Sequence, residues 1–181
     1  MKTVKMKKVI AFCAAVTMLL SATGCWGGTG VGGLKNIQAN DKVTNDEAAI
    51  LVTGDDYPLT VRDYLDLETV IDTVPQRVAV LSGTPLNIWY DLGGKSICTS
   101  DVTDNVRLTE GYEDEIRSLP MIGPVYSVDM ESIIGHEPDL IIAQVGTQST
   151  QASKLRDMGY NVIQTHIRGF SDVLDTYRAF G

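Results

Sequence analysis

Residues 119–147, LPMIGPVYSVDMESIIGHEPDLIIAQVGT, constrain the fold more than any other stretch of this chain. They read as a glycine-bearing loop, a short helix, a buried strand and a second loop of small residues. Asp129 is placed to cap the helix, because its carboxylate can accept from the free amides of the first turn. Met130, Ile133 and Ile134 follow at helical spacing, and the helix must stop before Pro138, which disfavours the helical region at Glu137. Leu140 to Ala143 is then an unbroken apolar run, as expected of a parallel strand covered on both faces. The run ends in Gln144-Val145-Gly146-Thr147, polar and small. That is the end of a strand where open α/β sheets place their ligands.

The segment GPVYSVDMESIIGHEPDLIIAQVGT resembles the signature of the metal-chelate substrate-binding proteins of ABC importers. That family carries ferric siderophores, haem and cobalamin. Its pattern is a glycine-aromatic loop, a small helix opened by Asn/Asp-Leu/Met-Glu, then Lys-Pro-Asp-Leu-Ile/Val. Here His136-Glu137-Pro138-Asp139-Leu140 replaces the usual Leu-Lys-Pro-Asp-Leu. The pattern is specific as a whole and weak in any five-residue piece.

The start of the chain reads as an export signal. Lys2, Lys5, Lys7 and Lys8 precede an apolar core from Val9 to Leu20. That core is shorter than the roughly 20 residues a bilayer requires, and it fits a signal peptide of residues 1–24. Leu20-Ser21-Ala22-Thr23-Gly24-Cys25 resembles a lipoprotein box, with Ala22 where Leu is commoner, and implies a lipidated Cys25 as the first mature residue. A plain secretory signal cut nearby is the other reading. With Cys13 removed and Cys25 acylated, Cys98 has no partner for an internal disulfide and reads as a buried structural thiol.

The whole chain carries 15 basic and 23 acidic side chains, net −8; without the four signal lysines, 11 basic remain and the net is −12. That balance excludes nucleic acid, whose phosphates require a basic face. It also excludes adsorption to anionic lipid by charge, which leaves the membrane contact to an acyl anchor of more than one chain. Residues 25–48 read as a flexible tether. Gly28-x-Gly30-x-x-Gly33 within it has dinucleotide-loop spacing, but a lipoprotein box lies behind it and a polar stretch ahead, where that loop needs a buried strand and a helix.

The folded part, residues 49–170, reads as an α/β lobe. Ile50-Leu51-Val52 is a short strand candidate, and Leu59–Asp63 and Leu67–Ile71 flank a turn at Tyr64–Asp66 as an antiparallel hairpin. The hairpin resembles the one that opens the family's fold, with Asp66-Leu67 in place of a Gly-Arg turn. Pro75–Leu81 matches the family's first parallel strand. Thr84 and Pro85 are expected as N-cap and first residue of a helix that buries Leu86, Trp89, Tyr90 and Leu92 and stops at Gly93. Further strands are expected at Ser96–Thr99, Leu140–Ala143 and Asn161–Thr165, with a helix over Ser149–Met158 closed by Gly159. The alternation is that of a doubly wound, Rossmann-like lobe with a parallel sheet of about four strands.

Ser171 is expected to cap a last helix, residues 171–181, with Val173, Leu174, Tyr177 and Phe180 on one face. The resemblance makes this the start of the helix that crosses to a second lobe absent from this chain. It covers residues 58–181 and about half of a whole family member. An amino-terminal lobe that folds but binds chelates weakly is the expectation.

Strand ends supply the candidate ligand contacts: Ser82, Gly83 and Thr84 after the first strand, Thr99 and Ser100 after the second, and Gln144, Gly146 and Thr147 after the third. Tyr126 sits where the family's loop offers an aromatic ring to a flat or aryl-bearing ligand, although it also suits covering the helix end at Asp129. Each of these residues also suits an ordinary cap or loop. Glu131 gains slightly from the helix dipole. The resemblance implies that it docks onto arginines of the transmembrane subunits.

Catalytic residues and a bound metal are not expected. There is no nucleophile elbow and no phosphate-binding lysine loop. His136 and His166 stand thirty residues apart without a companion ligand motif. The resemblance implies an exported, lipid-anchored solute-binding protein of an ABC importer, facing the extracellular or periplasmic side. Its ligand would be a chelate, with no covalent cofactor. A cell-surface α/β enzyme or adhesion module on a similar sheet is the other class open at this point.

Overall fold

The computed structural model describes residues 50–181. The signal, Cys25, the tether and the expected start of the lobe at Ala49 lie outside the described residues. Among those described, no helix is long and apolar enough to cross a membrane.

A small antiparallel sheet comes first. β1 (Leu51–Thr53), β2 (Leu59–Arg62) and β3 (Glu68–Ile71) lie in the order β1-β2-β3, with Val61 opposite Thr69 and Val52 opposite Val61. The expected hairpin is present and the short first strand joins it. Asp66 turns the chain at φ 58°, the left-handed conformation a glycine would adopt freely and Asp tolerates better than most residues.

The second sheet is parallel. β4 (Val78–Val80), β5 (Leu140–Gln144) and β6 (Val162–Thr165) lie in that order, with Val80 beside Ile142 and Ile142 beside Ile163. It has three strands where about four were expected. The Ser96–Thr99 segment does run beside β4, with Ile97 N–H donating to Val78 O at 2.9 Å. Ser96 prevents a regular ladder there: its hydroxyl accepts from Val80 N–H at 3.0 Å and donates to Cys98 O at 2.7 Å. Among the described residues, only a bridge from Thr99 to Met121 extends the sheet outward. Side chain replaces main chain at that edge.

Alternate residues of the strands point to opposite faces. Val78, Val80, Leu140, Ile142 and Ile163 join one buried cluster with Leu86 and Tyr90 of α1 (Gly83–Asp91), Ile116 of α2 (Glu113–Ser118), and Val61 and Ile71 of the small sheet. Ala79, Leu81, Ile141, Ala143 and Val162 join the other with Ile133 of α3 (Met130–Gly135) and Ala152 and Leu155 of α4 (Ser149–Asp157). Helices cover both faces, the doubly wound arrangement. Cys98 is fully buried in the second cluster, and burial pushes its thiol up to about 11.

Several boundaries differ from expectation for identifiable reasons. α1 starts two residues early, with Ser82 rather than Thr84 as its cap residue, and Leu92 is exposed past its end. α5 (Phe170–Phe180) is capped at Gly169 rather than Ser171, because the Asp172 carboxylate accepts from the Gly169 and Arg168 amides at 3.1 and 2.8 Å. On α5, Phe180 meets Trp89 edge-on at 5.8 Å and Tyr177 donates to Asp91, while Leu174 stays exposed. Nothing in the sequence had suggested α2; its six residues bury only Ile116.

Candidate functional site

With the Ser96–Thr99 segment outside β4, the order across the sheet is second, first, third, fourth in chain order. The direction of winding therefore reverses between β4 and β5. The carboxyl ends of those two strands form the switch point at which doubly wound sheets bind ligands. A cleft of about 490 Å³ opens there, lined by Ser82, Gly83, Thr84, Thr99, Ser100, Tyr126, Gln144 and Thr147. Of the expected ligand contacts only Gly146 lies off the lining; its φ of +83° serves the turn after β5 instead.

Ser82 and Gln144 meet across the switch point, the hydroxyl donating to the amide oxygen at 2.5 Å. This contact explains why the Ser82 side chain makes no capping bond to α1. Ser82 and Ser100 are buried, and Thr99 is fully buried with its hydroxyl oxygen lacking any hydrogen bond. An unpaired buried hydroxyl costs stability unless something satisfies it. Tyr126 is the opposite case: 79% exposed, it stands at the rim.

Sequence reasoning missed three further groups. Asn87 of α1 donates to Arg107 O at 2.8 Å and accepts from Thr109 N–H at 3.0 Å, holding residues 107–109 at the cleft mouth. Arg107 and Asp101 line the cleft as its charged residues. Gln148, fully buried, stands behind the wall. Their signals are non-local, since Asn87 and Arg107 are twenty residues apart.

Asp129 caps α3 as expected, accepting from Glu131 N–H at 3.0 Å. Glu131 is exposed on the first turn of that helix. The far end of α3 is held by Arg77, whose guanidinium donates to the carbonyls of His136 and, at 2.9 Å, Glu137. Glu137 itself turns the chain at φ 49°. His136 is the C-cap of α3, half-buried. His166 lies beyond β6 against the ring of Tyr64, with centroids 4.5 Å apart, and does not line the cleft. Among the described residues no three His, Cys, Asp or Glu side chains are grouped to hold a metal ion.

The family model described as periplasmic binding protein matches residues 78–179, from β4 into α5. The chain belongs to this family. An uncharacterized ABC transporter substrate-binding lipoprotein of Bacillus subtilis, YvrC, is 25% identical over 129 residues, which are 69% of this chain and 39% of that one. A cobalamin-binding protein of Halobacterium salinarum is 23% identical over 108 residues, 60% of this chain and 28% of its own length. The fold is similar to that of the periplasmic catecholate-siderophore binding protein VctP of Vibrio cholerae, at a TM-score of 0.57 and 23% identity over 67% of this chain and 43% of that structure. The chain thus spans well under two thirds of the length of the curated relatives it matches. Periplasmic binding proteins hold solutes, and the switch-point cleft is where this fold offers a place to hold one.

Proposed function

We propose that this chain is the amino-terminal lobe of a solute-binding protein that hands a metal chelate to an ABC importer. The observation that carries the reading is the cleft at the switch between β4 and β5, floored by hydroxyls and an amide and rimmed by Tyr126. Thr84, exposed, and Thr147, half-buried, supply hydrogen-bond partners for polar ligand atoms on the same lining. Tyr126 supplies broad apolar contact with a polar tip, which suits a flat or aryl-bearing chelate. Ser82, Gly83, Thr84, Ser100, Gln144 and Thr147 complete this wall, and Gly146 shapes the turn behind it. A siderophore or cobalamin fits this chemistry, as the names of the similar proteins suggest, and haem is the third chelate of the class. A second lobe would close the open side, in keeping with the share of its relatives that the chain spans.

In the same reading, Cys25 carries the lipid and holds the protein on the outer face of the membrane, with residues 25–48 as tether. Glu131, exposed at the start of a helix fixed at both ends, docks onto basic groups of the transmembrane subunits. Replacing Cys25 by Ser should release the protein from membranes; retention through a salt wash contradicts the anchor. The ligand claim is tested by titrating the chain with haem, cyanocobalamin and a ferric catecholate while following Trp89 emission. Saturable binding of one of them, weakened by Tyr126→Ala, is the expected result. An isolated lobe offers about half of the contacts, so affinity in the micromolar range or weaker is expected, each ~1.4 kcal/mol lost costing tenfold. Indifference to all three overturns the reading. In a version with both lobes, Glu131→Arg should reduce uptake and leave binding intact, because charge complementarity mainly governs encounter and register.

A further inference from the structure

Gln148 has no assigned role and is completely buried at the N-terminus of α4. Its side chain nevertheless makes three hydrogen bonds, each to a different segment of the cleft wall. Its oxygen accepts from Gln144 N–H, at the end of β5, at 3.0 Å. Its nitrogen donates to Leu81 O, at the end of β4, at 2.6 Å and to Val125 O, beside Tyr126, at 3.2 Å. The partners are one donor and two carbonyls, so the amide can be oriented only one way. One side chain ties both strand ends of the switch point to the aromatic loop.

The loop has little else to fix it. Its base is secured by Ile122 N–H to Thr99 O and Asp101 N–H to Gly123 O, both 2.9 Å. At its tip Ser127 N–H donates to Pro124 O at 2.8 Å, a bond internal to the loop. Among the described residues, the bond from Gln148 is the one hydrogen bond that joins residues 124–127 to the ends of the parallel strands. Tyr126, projecting into solvent, cannot place itself by packing.

We propose that Gln148 is a positioning residue of the cleft: it fixes the loop of Tyr126 at a set distance from Ser82 and Gln144 and so sets the width available to a ligand. The inference rests on the chelate-binding reading above. It adds a residue that never touches the ligand and acts through Tyr126.

The test uses Gln148→Glu, which keeps an acceptor for Gln144 N–H and turns at least one of the two donor contacts into acceptor against acceptor. Gln148→Met, similar in length and without polar atoms, replaces it if the acid does not fold. Hydrogen exchange at the Ser127 amide should become about tenfold faster in the variant, while Ile141 in β5 stays as protected as before. The same probes, haem, cyanocobalamin and a ferric catecholate, are then titrated into a double-mutant cycle with Tyr126→Ala. If Gln148 works through Tyr126, the alanine change costs several-fold less affinity in the Gln148 variant than in the parent. Unchanged exchange at Ser127 overturns the proposal. So does an undiminished effect of Tyr126→Ala, which would leave Gln148 a packing residue. Failure of every probe to bind the parent chain overturns the functional reading instead, and Ser127 exchange then decides by itself whether Gln148 holds the loop.

Discussion

Arg156 of α4 and Asp63 of the β2–β3 turn, 93 residues apart, form an ion pair at the junction of the small antiparallel sheet with the parallel one. The Asp63 side chain is wholly buried and its other contacts are the amides of Leu65, Leu67 and Gln164. Arg156 completes the joint by donating to Val162 O at 2.9 Å and Gln164 Oε1 at 2.8 Å. The β2–β3 turn therefore acts as a plug for the end of β6.

Removing the guanidinium leaves a buried carboxylate without its counter-charge. Arg156→Met should cost about 3–5 kcal/mol, the usual penalty for breaking a buried pair. Urea unfolding would show it as a lower midpoint with little change in slope. A loss below about 1 kcal/mol, typical of surface pairs, would show that the joint is ornamental.

Gly94 is required by contact. A Cβ there would stand 2.3 Å from Trp89 Cε2, and the indole cannot yield because its N–H donates to Lys95 O at 3.0 Å and Phe180 closes its other side. Gly94→Ala should therefore destabilise by about 1–3 kcal/mol through overpacking. It should also shift Trp89 emission, read with Trp26 replaced by Phe. Unchanged stability and emission would mean that the Trp89 indole does not lie against Gly94 as described.

Acid should loosen the start of α5. The Asp172 carboxyl lies below the usual carboxylate range, chiefly because the Arg168 amide donates to it, with the Gly169 amide and the charges of Arg168 and His166 adding to the effect. A depressed folded value means stability that is present above the unfolded value of about 3.9 and lost as pH falls through the folded one. The stability of the parent chain should fall more steeply below about pH 4 than that of Asp172→Asn. Parallel curves would contradict the cap.

The parallel sheet was legible because its strands are unbroken apolar runs, as in Leu140–Ala143, and its helices end in Gly93 and Gly159. The cleft was legible for the same reason: a strand's carboxyl end can be located without knowing its neighbours. What escaped was non-local. Ser96 looks like an ordinary strand residue until its hydroxyl is seen standing in for the ladder. α2 has an acidic first turn and one buried residue, too little for a periodic signal. Gln148 is a polar residue at the start of a helix and Asn87 one within a helix, and only the chain they reach across space gives them a role.

Under the proposed function a chelate sits at the carboxyl ends of β4 and β5. Paramagnetic broadening tests it most directly, because it reports weak binding residue by residue. A ferric catecholate added to isotope-labelled protein should broaden the amides of Ser82, Thr99, Ser100, Tyr126 and Gln144 selectively, and the diamagnetic gallium complex should merely shift them. Broadening spread evenly over the surface, or centred away from these strand ends, would contradict the account.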